Sequence, residues 1–266
     1  MFKTHTLIYT FVFISSFIFS YYTNYISYKI FGSIILGWSI FGLTSIGHEL
    51  YHLDNLTIPE MIIGYLCLDL WSVRKSVWIR RHNKFHHHNV YDDGEDEHLI
   101  DGSIIKNIKH TIIILIKTYE LLDFSLYNYL LILFRIYFFN LISWYSIIIS
   151  YSVIIFCVTF FTFITHSAPI ISSEENYKLK QLHRSVDIFP DSELTILIMG
   201  GFNVHSCHHF SPKSNRDKFS KLHKFLKSEY GENHRVINNF KELYNLYKYK
   251  DVVFLNMEEW NHYIKS

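Results

Sequence analysis

The chain has 266 residues, and its 25 Lys and Arg against 24 Asp and Glu leave a formal charge of +1. That is too little for a nucleic-acid surface. Its three cysteines, Cys67, Cys157 and Cys207, are odd in number and far apart, so no disulfide framework is implied, and an apolar content of 49% excludes disorder. Two figures stand out against a soluble domain: the 23 Phe with 20 Tyr, which point to a membrane, and the 17 histidines, which point to a metal.

In chain order, no Asp, Glu, Lys or Arg occurs from Thr4 to Tyr28, nor again from Ile30 to His48. A spanning helix needs about 20 predominantly apolar residues, so the pattern predicts two spans, roughly 6–22 and 30–47, with a turn near Asn24. A cleaved signal peptide is the competing reading of the first run, but no small-residue cleavage site follows it, and the chain's one alanine is Ala168. A second uncharged stretch, Ile136 to Ser173, has an apolar pattern that begins near Leu126. It predicts two more spans, roughly 126–143 and 148–166, with Arg135 near the start of the third and in reach of the interface by snorkelling. Two shorter apolar runs, Ile58–Leu70 and Ile104–Leu122, read as helices at the membrane surface.

Lys and Arg concentrate between spans 2 and 3 (Arg74, Lys75, Arg80, Arg81, Lys84, Lys106 and Lys109) and again after Pro169. By the positive-inside rule, both termini and the central segment face the cytoplasm. The expected architecture is an all-α membrane protein, a single domain over 1–266, with four transmembrane helices and a cytosolic helical cap formed by 48–122 and 167–266. Its setting is a bacterial inner membrane or the endoplasmic reticulum.

The histidines cluster. His48 and His52 stand in GHELYH, His82, His86, His87 and His88 in RRHNKFHHHN, and His205, His208 and His209 in GGFNVHSCHHF. Positions i, i+3 and i+4 of a helix share a face, so each cluster aims two or three imidazoles at one point. Eight or nine imidazoles exceed the four ligands at which zinc closes. They would supply two adjacent irons with four or five nitrogens each. One stretch, His48-Glu49-Leu50-Tyr51-His52, also fits the zinc-protease pattern H-E-x-x-H with Glu49 as general base. That reading leaves the other two clusters without a role. A metal transporter is a third class, disfavoured because the spans themselves carry almost no ionisable residues.

These three clusters resemble the histidine boxes of the membrane fatty acid desaturases and related membrane hydroxylases. The third is the most specific, with Gly200, Gly201, Asn203, His205, His208, His209, Phe210 and Pro212 in the family's order. The resemblance implies a four-span bundle capped by a cytosolic region that holds a non-haem di-iron centre. Its ligands would be His48, His52, His82, His86, His87, His205, His208 and His209. A further ligand often stands between the last span and the third box, and His183 is at that place; His166 reads instead as capping or lining the site. The extra His88 leaves the register of the second box ambiguous by one residue, and the third box ends Phe-Ser-Pro where Leu-Phe-Pro is usual.

The implied reaction is the desaturation of a fatty acyl chain with O2 as co-substrate and two external electrons; hydroxylation on the same scaffold is the alternative. The implied partners are an acyl lipid, acyl-CoA or acyl-carrier substrate, membrane lipid, and a separate electron donor of the cytochrome b5 or ferredoxin type with its reductase. No flavin, haem or nucleotide motif supplies those electrons within the chain.

Ligating histidines commonly donate their second N–H to a carboxylate or other acceptor. Glu49, Asp93, Asp96, Asp187 and Asn203 are the candidates for that orienting role. Cys207 reads as a packed spacer between ligands, His98 and His110 as solvated, and His5, His223, His234 and His262 have no supporting neighbours in sequence. Lys213, Lys218, Lys221, Lys224 and Lys227 with Arg216 form a basic stripe, read as a helix face on anionic lipid or as a dock for an acidic donor. The tail from Glu229 reads as helical, with Phe240, Leu243, Leu246 and Tyr247 on one stripe.

Overall fold

The computed structural model describes residues 3–71, 75–87, 126–166, 176–214, 216–249, 252 and 254–266. His88, Asp93, Asp96, His98, His110 and the Ile104–Leu122 run lie outside the described residues. The chain packs as two compact units, one of Phe2–Ile79 with Ile108–Thr159, the other of Arg80–Asn107 with Phe160–Ser266.

In the first unit, α1 (Lys3–Tyr22) and α2 (Ile26–Leu50) are joined at residues 23–25, where Asn24 predicts the turn. Helix α3 (Ile58–Gly64) opens on a capping box: Glu60 Oε2 accepts from the Thr57 N–H at 2.9 Å. It runs on as a π-helical turn, Tyr65–Asp69. After α4 (Lys75–Trp78) come α5 (Leu126–Asn140) and α6 (Ser146–Thr165). Three of these helices, α1, α2 and α6, are long and apolar enough to cross a membrane. The expected third span is met by only 15 described helical residues in α5, short of a full crossing.

The fit between these helices comes from small residues. A Cβ on Gly42 would lie 2.1 Å from the Tyr9 ring, and one on Gly37 would lie 2.6 Å from the Ser150 carbonyl. Helices in lipid associate through such close backbone approach, because lipid tails are as apolar as leucine. Ser33 and Ser150 add to it: Ser150 Oγ donates to the Ser33 carbonyl at 2.9 Å. Arg135 does not snorkel. It is 6% exposed and donates to the carbonyls of Leu70 at 2.6 Å and Asp69 at 2.8 Å, satisfying carbonyls left open at the end of the π-helical turn.

The second unit is built of short pieces: α7 (Tyr177–Arg184), β1 (Asp187–Ile188), α8 (Glu193–Ile198), α9 (His205–Phe210), α10 (Phe219–Tyr230), β2 (Val236–Ile237), α11 (Phe240–Lys248) and α12 (Met257–Lys265). Side-chain caps start four of the helices, from Asn176, Ser192, Asn239 and Asn256. An all-α fold is therefore corrected in one detail. β1 and β2 pair in parallel, with Asp187 opposite Val236, and Asp187 also bridges Val204. That pairing joins segments far apart in sequence, and two-residue strands carry no alternating pattern to read. Two surface expectations change as well. Arg216 is 3% exposed and leaves the lysine stripe, donating to the Gly200 carbonyl at 2.7 Å. On α11 the buried residues are Glu242 and Leu246, while Phe240 and Tyr247 are exposed.

Candidate metal centre

The second and third boxes both belong to the second unit, and their side chains meet. The second box is wound as a π-helix over Ile79–His86, and the His87 N–H donates to the His82 carbonyl at 3.1 Å. This i→i+5 winding, frequent at functional sites, turns residues four and five later back over the first. His82 and His87 accordingly bring their Nε2 atoms to 3.1 Å of each other. An ordinary α-helix would have favoured the i+3 and i+4 positions instead.

The third box is held by a turn through Gly200 and Gly201, both at positive φ (61° and 80°). A Cβ on Gly201 would meet the Arg216 guanidinium at 2.9 Å, so this position needs glycine for space as well as for conformation. From the turn, α9 projects His205 and His209, four apart, toward one point. There His86, His166, His205 and His209 gather, all buried, each offering a ring nitrogen within 4.8 Å of the others. His205 Nε2 lies 2.7 Å from His166 Nε2 and 3.1 Å from His209 Nε2. The His208 ring stands 4.9 Å from that of His87 and 6.0 Å from that of His82.

Two acceptors fix which nitrogens face inward. Gln181, 1% exposed, spends its amide N–H on the His87 carbonyl at 2.9 Å, which leaves Oε1 to accept from His209 Nδ1–H at 2.8 Å. The Arg184 carbonyl takes the same role for His166 Nδ1 at 3.3 Å. With Nδ1 donating, the Nε2 lone pairs of His209 and His166 point into the group. Burial pushes the His208 imidazole down to about 3, with the charges of His86 and Arg216 adding to it, and holds His209 well below its ordinary value. These rings are neutral at physiological pH, the form that binds metal.

The group fits a metal ion. It is all imidazole, the tautomers of His209 and His166 are pinned, and box nitrogens approach to 2.7–3.1 Å. Two lone pairs at that distance repel unless a cation or a proton lies between them. Imidazole–metal bonds of about 2.0–2.1 Å put ligand atoms at right angles to one another about 3 Å apart. The Asn203 amide, 0% exposed, makes no hydrogen bond among the described residues.

Not every expected residue joins the four-histidine group. His183 is not in the four-histidine group; its Nε2 is 3.4 Å from Asn233 Oδ1. His166, expected only to cap or line the site, is inside the group. Asp187 is buried, but its carboxylate meets Ser206 N–H, Cys207, His223 and His234 rather than a box histidine. In the first unit, His48 and His52 lie with ring centroids 5.1 Å apart and the Trp78 ring against both, at 5.0 and 4.7 Å. Glu49 is 5% exposed and joins no metal-suited group among the described residues. Gln181 escaped sequence reading, since an amide in QLH carries no pattern; its buried place beside two boxes is a tertiary fact.

Three helices long and apolar enough to cross a membrane, together with a buried group of imidazoles, define the class: a mainly helical protein, consistent with a membrane setting, with a metal-suited histidine centre. The sequence profile of the fatty acid desaturase family matches residues 106–241, about half the chain, and the chain belongs to that family. The matched stretch contains His166, His183 and the third box, and begins after the first two boxes. No curated protein matches the chain.

Proposed function

We propose that this protein is a membrane fatty acyl desaturase that uses O2 and two externally supplied electrons at a histidine-ligated di-iron centre. The observation that carries the reading is the four-imidazole group of His86, His166, His205 and His209 in a chain of the desaturase family. The proposed ligands are His82, His86, His87, His166, His205, His208 and His209, joined on their box pattern by His48 and His52. His166 takes the place first expected for His183, a choice supported by its 2.7 Å separation from His205.

Two irons, when bound, supply with O2 and two electrons the oxidising power that an unactivated C–H bond requires. The protein's own part is positional. Gln181 and the Arg184 carbonyl hold Nδ1 protons and so keep His209 and His166 in the binding tautomer. Burial keeps His208 and His209 uncharged, and the apolar helices offer an acyl chain a route from lipid. The active site and both termini face the cytoplasm in this reading, and electrons arrive from a separate donor such as a cytochrome b5 or ferredoxin with its reductase. The desaturase family points away from the H-E-x-x-H protease reading.

The test is product analysis. Expression in a host with a simple lipid profile, followed by gas chromatography–mass spectrometry, is expected to reveal a new double bond in the acyl pool. His209→Ala should abolish it and lower the iron content while the protein remains in the membrane, because no span is altered. A hydroxylated product in place of an alkene, or full desaturation by His209→Ala, overturns the reading.

A further inference from the structure

A second cluster of donors lies on the other side of α9. Asp187 from β1, Cys207 from α9, His223 from α10 and His234 from the segment before β2 each offer one ligand atom, all within 4.8 Å of one another. All four residues are buried, Asp187 and Cys207 at 0% exposure. No box motif contains His223 or His234, and neither has a chemical neighbour in sequence.

We propose that Asp187, Cys207, His223 and His234 form a second metal site, mononuclear and of the zinc class, separate from the imidazole centre. The donor set is one oxygen, one sulfur and two nitrogens, the ligand types and number of a closed structural zinc site. The distances agree with it. Bonds of about 2.0–2.3 Å at the tetrahedral angle place neighbouring ligand atoms about 3.3–3.6 Å apart. Asp187 Oδ2 lies 3.4 Å from Cys207 Sγ and 3.3 Å from His223 Nδ1. A charge-assisted N–H···O bond is shorter, about 2.7–2.9 Å. The contact to His234 Nε2, at 2.8 Å, is shorter than such an edge and must open by about half an ångström to become one.

Orientation and charge agree as well. Asp187 Oδ1 accepts from the Ser206 N–H at 2.7 Å, which turns Oδ2 toward the other three donors. One thiolate, one carboxylate and two neutral imidazoles around a divalent cation sum to zero, the arrangement that a buried site tolerates. On binding, the Cys207 S–H bond breaks, sulfur keeps the electron pair, and the proton leaves to solvent. An apolar shell of Leu182, Val204, Phe219 and Leu226 surrounds the cysteine, which excludes competing water.

The site also answers a structural need. A two-residue strand and a six-residue helix are far below the length at which secondary structure sustains itself. A cation bound by four separate segments would staple them and hold the α9 helix that carries the third box.

The experiment uses the full chain purified in detergent, with metals counted by plasma mass spectrometry and the zinc environment read by X-ray absorption. The expected result is about one zinc per chain with one sulfur neighbour at about 2.3 Å. Cys207→Ser should lose the sulfur neighbour, and His223→Ala should lose most of the zinc. His209→Ala should lose iron yet keep both zinc and sulfur, so failure of the desaturase reading and failure of this one are distinguishable. Protein grown with cobalt in place of zinc tests the wild type without any variant: a near-ultraviolet thiolate-to-cobalt band is expected. Absence of zinc and of that band, or a sulfur neighbour that survives Cys207→Ser, overturns the proposal.

Discussion

The helix α9 serves two groups of opposite chemistry within six residues. Its His205 and His209 face an assembly of imidazoles whose orienting partners are an amide and a backbone carbonyl. Its Ser206 N–H and Cys207 face a carboxylate, Asp187, on which two further histidines converge. At His208 and His209, burial and neighbouring positive charge push in the same direction, so these two rings stay neutral. In the other, burial alone would raise the Asp187 carboxyl, but hydrogen bonds from His223 and His234, and their charges, outweigh it and hold the carboxyl well below its usual value. The comparison teaches that a histidine's role in this protein depends on which face of a short helix it meets, and not on how many histidines surround it.

Gln181→Leu breaks the comparison most sharply. It removes the acceptor for His209 Nδ1–H and the donor to the His87 carbonyl while leaving the Asp187 group untouched. Loss of such an orienting partner costs about 10–100-fold in metal affinity or activity. Iron binding and product formation should fall by that order, while the membrane-inserted amount of protein stays near wild type. Titration of bound iron against a competing chelator measures it; wild-type affinity would show that the amide orients nothing.

Acid separates the two groups with a smaller effect. His208 has a folded value near 3 against an ordinary value of about 6.5. A group whose folded value is depressed contributes stability that is full above the unfolded value and is lost as pH falls toward the folded one. In metal-stripped protein the imidazole group should therefore lose stability from about pH 6.5 downward. Asp187, also depressed, should hold its contribution until pH falls below about 3.9. Thermal melts across this range should decline in the first window, and His208→Gln should flatten that decline. A melting temperature constant from pH 7 to 4 would contradict the assignment.

His183→Ala is the smallest expected change. Its ring faces Asn233 and lies outside the four-histidine group, so iron content and product yield should stay within a few-fold of wild type. Loss of iron equal to that of His209→Ala would restore His183 as a ligand in place of His166.

Much was determined by local sequence. Uncharged runs are long because lipid leaves no partner for charge, so α1, α2 and α6 and the turn at Asn24 were legible from composition. The three boxes were legible too, since helical periodicity puts His205 and His209 on one face whatever surrounds them. The caps at Asn176, Ser192, Asn239 and Asn256 follow the same logic, because a side-chain oxygen and an N–H two or three residues later meet by local geometry.

What only the tertiary structure decided were the partners brought from distant segments. His166 follows the last span with nothing local to mark it, and its place 2.7 Å from His205 depends on packing across 39 residues. Gln181 and Asp187 are single polar residues in unpatterned stretches. Their roles came from burial, which leaves a polar group no alternative to the neighbours that the fold supplies. His223 and His234 had no sequence companions, yet they converge on Asp187 from α10 and from the approach to β2. Periodicity reports which residues of one element share a face; only the packed chain determines what that face meets.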